Sequence, residues 1–206
     1  MTPDRKSISV GDLVRALERG EVVGLPTDTV YGLAARLSQP TAVDLLFHLK
    51  GRPRDLAIPV LVADLAQAED VAGGADPRLT VLADHFWPGA LTVALRRGRD
   101  TEPDLGGDPA TVGVRSPDDD VIRALCRRVG PLAVTSANRH GDPPARTAVE
   151  LRSTFDADVG TVLDGGVRDG QPSTVVSIVE ATPRCVREGA IPFAEVIAAL
   201  DGRPRR

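Results

Sequence analysis

Residues 111–136 read TVGVRSPDDDVIRALCRRVGPLAVTS, and this stretch decides what kind of fold the chain can adopt. Thr111 to Ser116 reads as a strand. Pro117 to Val129 reads as a helix, acidic at its start (Asp118, Asp119, Asp120) and basic at its end (Arg127, Arg128), which matches the helix dipole. Leu132 to Thr135 reads as a strand again. The same alternation of strand and helix continues in both directions, so the chain is expected to be α/β (α+β): a twisted, open, mixed sheet with flanking helices.

Towards the N-terminus, Ala90 to Leu95 is a strand, set off by the helix-breaking Trp87-Pro88-Gly89. Asp64 and Asp76 are N-caps for two helices, and Ile58 to Ala63 is a continuous apolar strand. Pro40 to Lys50 has the proline at the start and the glycine past the end that a helix prefers. Val10, Leu13, Val14 and Leu17 fall at helical spacing in a helix from Val10 to Arg19, stopped by Gly20. Glu21 to Pro26 is a short strand followed by the polar turn Thr27-Asp28-Thr29. Arg96 to Pro109, rich in Gly, Asp and Pro, is a loop. Towards the C-terminus, Ser136 to Arg146 is a loop and Ala148 to Phe155 a helix capped by Thr147. Val159 to Leu163 and Thr174 to Val179 are strands joined by a Gly-rich turn. Cys185 to Arg187 is a further strand, Pro192 to Leu200 a closing helix, and Asp201 to Arg206 a frayed tail. Without repeats or a low-complexity linker, residues 1–206 are expected to form a single domain, with its core at about 7–200.

Composition narrows the function. An apolar fraction of 42% and a charged fraction of 26% are ordinary for a globular protein, and no apolar run is long enough to span a membrane. Met1 to Ser9 carries Arg5 and Lys6 without the apolar stretch of a secretory signal, so the expected compartment is the cytoplasm. The net charge of −4 argues against bulk DNA binding, and 3% aromatic residues against a base-stacking platform. The two cysteines, Cys126 and Cys185, read as small buried hydrophobes. His48, His85 and His140 have no partners at metal-ligand spacing, so no metal site is expected. Of 25 basic residues only Lys6 and Lys50 are lysine. A chain this committed to arginine that keeps a lysine in its interior suggests a need for a compact ammonium there.

No P-loop, no G-x-G-x-x-G and no G-x-S-x-G occur. Any nucleotide site is therefore built another way. Lys50-Gly51-Arg52-Pro53 ends a helix; it is either favourable C-terminal charge or a polyphosphate clamp, lysine as a point charge and arginine as a fork. Ser136-Ala137-Asn138 follows an apolar strand, where it is either an ordinary turn or a pair of polar side chains facing a ligand at the strand's carboxyl end. Pro26 to Leu33 is a polar insert whose threonines suit a small zwitterion, or a capped loop. Arg115, ending a strand, is placed to pair with a carboxylate, or is a surface arginine beside the acids that open the next helix. Ser173-Thr174 opens a strand and Arg187-Glu188-Gly189 closes one.

In combination and order, PTDTVYGL (26–33), KGRP (50–53), WPGALTVAL (87–95), TVGVRSP (111–117), TSAN (135–138), STVVSI (173–178) and REGA (187–190) resemble the YrdC-like threonylcarbamoyl-AMP synthases, of the short single-domain bacterial type. The resemblance implies an open α/β sheet whose concave face holds the substrates. It implies that L-threonine, bicarbonate (or CO2) and ATP, the last with Mg2+, are converted to threonylcarbamoyl-AMP and pyrophosphate, without a tightly bound cofactor. The product would supply a transferase complex that modifies tRNA adenosine next to the anticodon. Residue by residue, it implies that Thr29, Arg115, Ser136 and Ser173 hold threonine, Arg115 through the carboxylate. Lys50, Arg52, Thr111, Ser136, Asn138, Thr147 and Arg187 would hold ATP, with Lys50 and Arg52 the catalytic cations. Lys50, Arg52, Ser136 and Asn138 form the family's K-x-R…S-x-N signature.

The chain departs from the family at Leu56, where a polar contact to ATP is expected, at Leu61, where some members carry histidine, and at His140, where serine is usual. Two other readings compete. One is a non-catalytic double-stranded-RNA or ribosome-associated binding protein, which needs a cationic concave face and fits poorly with a net charge of −4. The other is a carbamoyl-adenylating domain of the hydrogenase-maturation kind, whose longer chains carry zinc-finger-like cysteines that this one lacks.

Overall fold

Local chemistry starts most of the helices where the sequence places them. In the computed structural model, which describes residues 8–98, 103–155 and 157–202, Ser9 and Asp12 form a reciprocal capping box. It opens helix α1 (Val10–Glu18). Asp64, Asp76 and Asp119 cap α3 (Leu65–Ala72), α4 (Pro77–Phe86) and α5 (Asp120–Val129), each accepting a first-turn amide. Helix α2 (Pro40–Lys50) ends at Gly51, whose φ of 62° is the left-handed conformation that glycine adopts without penalty. Helices α6 (Ala148–Phe155) and α7 (Phe193–Leu200) complete the set. The N-terminal cations Arg5 and Lys6, most of the tail, and residues 99–102 of the loop at Arg96 to Pro109 lie outside the described residues.

The strands are β1 (Val23–Pro26), β2 (Tyr31–Arg36), β3 (Val60–Leu61), β4 (Leu91–Arg96), β5 (Thr111–Arg115), β6 (Leu132–Ser136), β7 (Thr161–Val162), β8 (Thr174–Ser177) and β9 (Arg184–Arg187). They form one mixed sheet in the order β7-β1-β2-β6-β3-β5-β4-β8-β9. The β7/β1, β3/β5 and β4/β8 pairs are parallel and the other pairs antiparallel. Several sequence expectations change, and the strand expected at Val159 to Leu163 narrows to β7. Strand β2 was not foreseen: YGLAAR has little alternation because β2 pairs on both edges and is buried on both faces. Its Gly32 is required by close approach, since a Cβ there would lie 2.9 Å from Val134 and 3.2 Å from the Thr135 carbonyl. The strand expected at Ile58 to Ala63 narrows to β3, with Ile58 bonding instead to the loop carbonyl of Leu105. Cys126 is buried as read, but Cys185 is exposed on the edge strand β9.

The two faces of the sheet are unequal, and this makes the site. One face packs Leu33, Val60, Val93, Val112, Val114 and Val176 against α2, α3, α4, α6 and α7. The other carries Leu25, Ala34, Leu61, Leu132 and Val134, covered by Leu13 and Leu17 of α1 and Ile122, Leu125 and Val129 of α5. Burying each such leucine contributes roughly 2 kcal/mol. These two helices cover the half of the sheet that holds β7, β1, β2, β6 and β3. On β5 and β4 the same face presents Thr111, Gly113 and Arg115, and Thr92, Ala94 and Arg96, by the period of two that sends Val112, Val114 and Val93 to the other side. Small and polar residues thus floor an uncovered concavity.

A strap, residues 163–173, runs from β7 on one edge to β8 on the far side. Seven strand spacings make about 34 Å of sheet, and eleven residues reach at most about 39 Å, so little chain is spare. The strap is pinned on its way: Tyr31 Oη donates to the Gly166 carbonyl (2.9 Å), the Gly165 amide donates to Tyr31 Oη (3.0 Å), and the Gly170 amide donates to the Thr29 carbonyl (2.8 Å).

Candidate active site

The left-handed turn at Gly51 places Lys50 and Arg52 on one side of the end of α2, facing the carboxyl end of β6. Lys50 is 3% exposed. Its ammonium donates to the Ser136 carbonyl (2.9 Å), Ser136 Oγ (3.1 Å), the Asn138 carbonyl (3.1 Å) and Asn138 Oδ1 (2.6 Å). Ser136 Oγ donates to Asn138 Oδ1 (2.7 Å), and Asn138 Nδ2 donates to the carbonyls of Arg139 and Asp142. Lysine, serine and asparagine are therefore one hydrogen-bonded unit, in which four acceptors surround three protons. The compact ammonium inferred from lysine's rarity is what such a cage requires; a planar guanidinium would not fit inside it. Burial, with a smaller contribution from Arg52, pulls the Lys50 pKa down to about 8.

Above this unit lies a cavity of about 350 Å³. Three guanidinium groups line it: Arg52, Arg115 and Arg187. Arg52 donates to the carbonyls of Leu56 (2.9 Å) and Ala57 (2.7 Å), so position 56 contributes through its main chain while its leucine side chain stays partly exposed. Arg187 donates to the Ser173 carbonyl (2.8 Å). Arg115 is 6% exposed; its Nε donates to the Gly89 carbonyl (2.9 Å) and its Nη2 to Asp28 Oδ2 (2.6 Å). The acids that the sequence set beside Arg115 go elsewhere: Asp119 caps α5, and Asp118 approaches Arg123 at 3.7 Å. The surface reading of Arg115 is thereby corrected, because its partner comes from the turn at 27–29. Burial lowers the pKa of both Arg52 and Arg115, and Arg187 pushes each further down.

Hydroxyl groups fill the rest of the lining. Thr27 and Thr29 are hydrogen-bonded (2.9 Å), as are Thr92 and Ser173 (3.0 Å), and Thr135 and Ser136 complete the set. Pro59, Leu61 and Val134 make an apolar floor, so Leu61 offers a packing surface where a histidine was thought possible. His140 acts through its main chain, its amide donating to the Lys50 carbonyl (2.7 Å). The expected residues Thr29, Arg52, Arg115, Ser136, Asn138, Ser173 and Arg187 thus converge, with Lys50 beneath them. Thr111 lies at the other end of β5, about 13 Å along the strand, on the same face as Arg115, its hydroxyl donating to the Asp108 carbonyl. Thr147 caps α6. The sequence reading missed Asp28, Thr92 and Thr135 as lining or partner residues. All three sit inside quoted motifs: Thr135 is Ser136's own neighbour on β6, Asp28 reaches Arg115 from a turn 87 positions away, and Thr92 meets Ser173 from β4 beside β8.

A wider groove of about 1100 Å³ lies between α4 and α7. Its charged lining is Asp84, His85 and Glu195, with no lysine or arginine, so it does not suit an anion. Among the described residues no group of three or more His, Cys, Asp or Glu side chains is assembled for a metal, and no helix is long and apolar enough to cross a membrane.

The family model described as telomere recombination, Sua5/YciO/YrdC, matches residues 15–189. A Mycobacterium tuberculosis relative is 36% identical over 96% of this chain and 92% of its own length. A Bacillus subtilis protein named threonylcarbamoyl-AMP synthase is 37% identical over 89% of this chain, which spans 54% of that longer relative. The crystal structure of Pyrococcus abyssi Sua5 complexed with L-threonine superposes with a TM-score of 0.86 at 32% identity, over 97% of this chain and 60% of that one. With its edge-to-edge mixed sheet, its half-covered face and the linked K-x-R and S-x-N elements, this chain belongs to the Sua5/YciO/YrdC family.

Proposed function

We propose that the chain is a threonylcarbamoyl-AMP synthase. The observation that carries this reading is the single cavity in which three guanidinium groups and a ring of hydroxyls stand over the Lys50–Ser136–Asn138 unit. It combines a site for a polyphosphate with one for a small hydroxylated zwitterion. Threonine's amine captures bicarbonate or CO2 as a carbamate, and a carbamate oxygen attacks the α-phosphorus of ATP and expels pyrophosphate. Such a reaction needs positioning and charge neutralisation. In this reading Arg115 receives the carboxylate of threonine, and Thr29, Ser136 and Ser173 hold its polar groups. Arg52, Arg187 and Asn138 face the nucleotide, Lys50 fixes the S-x-N turn beneath them, and Thr111 and Thr147 lie further along its path. Mg2+ arrives on the phosphates of ATP; among the described residues lining the cavity Asp142 is the one acid.

We further place the enzyme in the cytoplasm, acting as one domain and passing its product to a transferase that modifies tRNA. The RNA-binding reading needs a cationic concave face; the arginines of this concavity crowd around a small-molecule cavity instead. Incubation with ATP, threonine and bicarbonate tests the proposal: release of pyrophosphate and threonylcarbamoyl-AMP that needs all three is expected, and pyrophosphate release indifferent to threonine would overturn it.

A further inference from the structure

Three arginines line one small cavity, yet among the described residues only one has a carboxylate partner. Arg115 and Asp28 form a buried pair at 2.6 Å, their side chains 7% and 13% exposed. Asp28 Oδ2 also accepts the Asp118 amide (3.2 Å), while Oδ1 is buried without a hydrogen bond from a protein group among the described residues. Arg52 and Arg187 donate only to neutral acceptors: main-chain carbonyls and the Ser173 hydroxyl. Among the described residues neither has an ion-pair partner, and Asp55 acts on Arg52 from longer range. The cavity therefore has two electrostatic halves, an uncompensated cationic one at Arg52 and Arg187 and a compensated one at Arg115.

We infer that Asp28 is the specificity-determining residue that sorts the two anions of the reaction. A polyphosphate carries several negative charges and is drawn to the uncompensated half. It is disfavoured at Arg115, where Asp28 adds a like charge beside it. A zwitterion with one carboxylate is not repelled in the same way. Of the five N–H groups of Arg115, two are taken by Gly89 and Asp28, which leaves three for that carboxylate. Without Asp28, both halves attract phosphate, and ATP competes with the amino acid for its own subsite. This inference rests on the synthase reading for the identity of the two anions. The asymmetry itself belongs to the cavity.

The test uses inorganic tripolyphosphate as the probe, titrated calorimetrically, so that it needs no turnover. Arg52→Ala/Arg187→Ala should bind tripolyphosphate weakly. Adding Asp28→Asn, nearly isosteric and still a hydrogen-bond acceptor, should restore binding at least tenfold through Arg115, and Asp28→Glu in the same background should not. In the otherwise native enzyme, Asp28→Asn should lower the inhibition constant of tripolyphosphate against threonine at least tenfold. A merely structural Asp28 would change melting temperature without creating a phosphate site, so thermal melts accompany each variant. Equal tripolyphosphate affinity with and without Asp28→Asn, or binding in neither, overturns the sorting role. Threonine-independent behaviour of the wild type would instead overturn the synthase reading, and the two failures are told apart because the titration requires no threonine.

Discussion

Lys50 should impose a pH limit on both activity and stability. Burial holds its pKa at about 8, against 10.5 for a free lysine. The unfolded chain therefore binds more protons than the folded one between those values, and stability rises with pH across that window. The cost of the charged lysine is fully present below pH 8 and gone above 10.5. A shift of this size corresponds to roughly 3 kcal/mol, at about 1.4 kcal/mol per pKa unit. Activity runs the other way. The neutral amine has lost a proton from the cage that holds Ser136 and Asn138, so kcat/KM should fall above pH 8, to about a tenth of its plateau near pH 9. Bound phosphates favour the ammonium, so the corresponding limb of kcat should lie at higher pH. Urea melts of wild type and Lys50→Met between pH 7 and 11, beside pH–rate profiles of the wild type, measure both effects. A wild-type stability difference from Lys50→Met that does not change with pH, together with a kcat/KM flat to pH 10, would refute the reasoning.

Three further outcomes follow from the site. Arg115→Ala should raise the apparent KM for threonine roughly ten- to a hundred-fold, the loss of about 1.5–3 kcal/mol of charge-assisted bonding, with a far smaller change for ATP and only partial rescue by Arg115→Lys; steady-state kinetics in each substrate decides. Valine in place of threonine should support much weaker pyrophosphate release, because the hydroxyl pairs Thr27–Thr29 and Thr92–Ser173 would be left facing a methyl group; equal turnover would mean that the amino-acid subsite has been misread. Gly170→Ala would place a Cβ 2.7 Å from the Asp28 carbonyl and 2.9 Å from Thr29 Cα, so it should lift the strap off the threonine turn, lower the melting temperature and raise the KM for threonine before that for ATP.

Much of this was legible before any coordinates. Helices α1, α3, α4 and α5 could be read because their start signals are local, an acid or serine at the first amide, and α2 because a proline opens it and a glycine closes it. Strand β2 was not, because burial on both faces erases the alternation that marks a half-buried strand. The motifs at 50–53 and 135–138 each kept a bland alternative open, helix-end charge for one and an ordinary turn for the other. Four hydrogen bonds between residues 86 and 88 positions apart join the two motifs into one unit, which neither stretch announces by itself.

By itself the sequence determined the element types, most of their boundaries, the absence of the common nucleotide-binding motifs, and the residues to be brought together. Those are properties of short windows, set by dihedral preference, capping and periodicity. Only the tertiary structure decided where each residue is placed and what it bonds to. It caged Lys50 beneath the cavity rather than at its surface, and it gave Arg115 the partner Asp28 instead of the acids next to it in the chain. It also left one face of β4 and β5 bare, because α1 and α5 cover only the other half of the sheet. Strand order and the path of the strap set these contacts across as many as 88 residues, a scale at which local propensity carries no information.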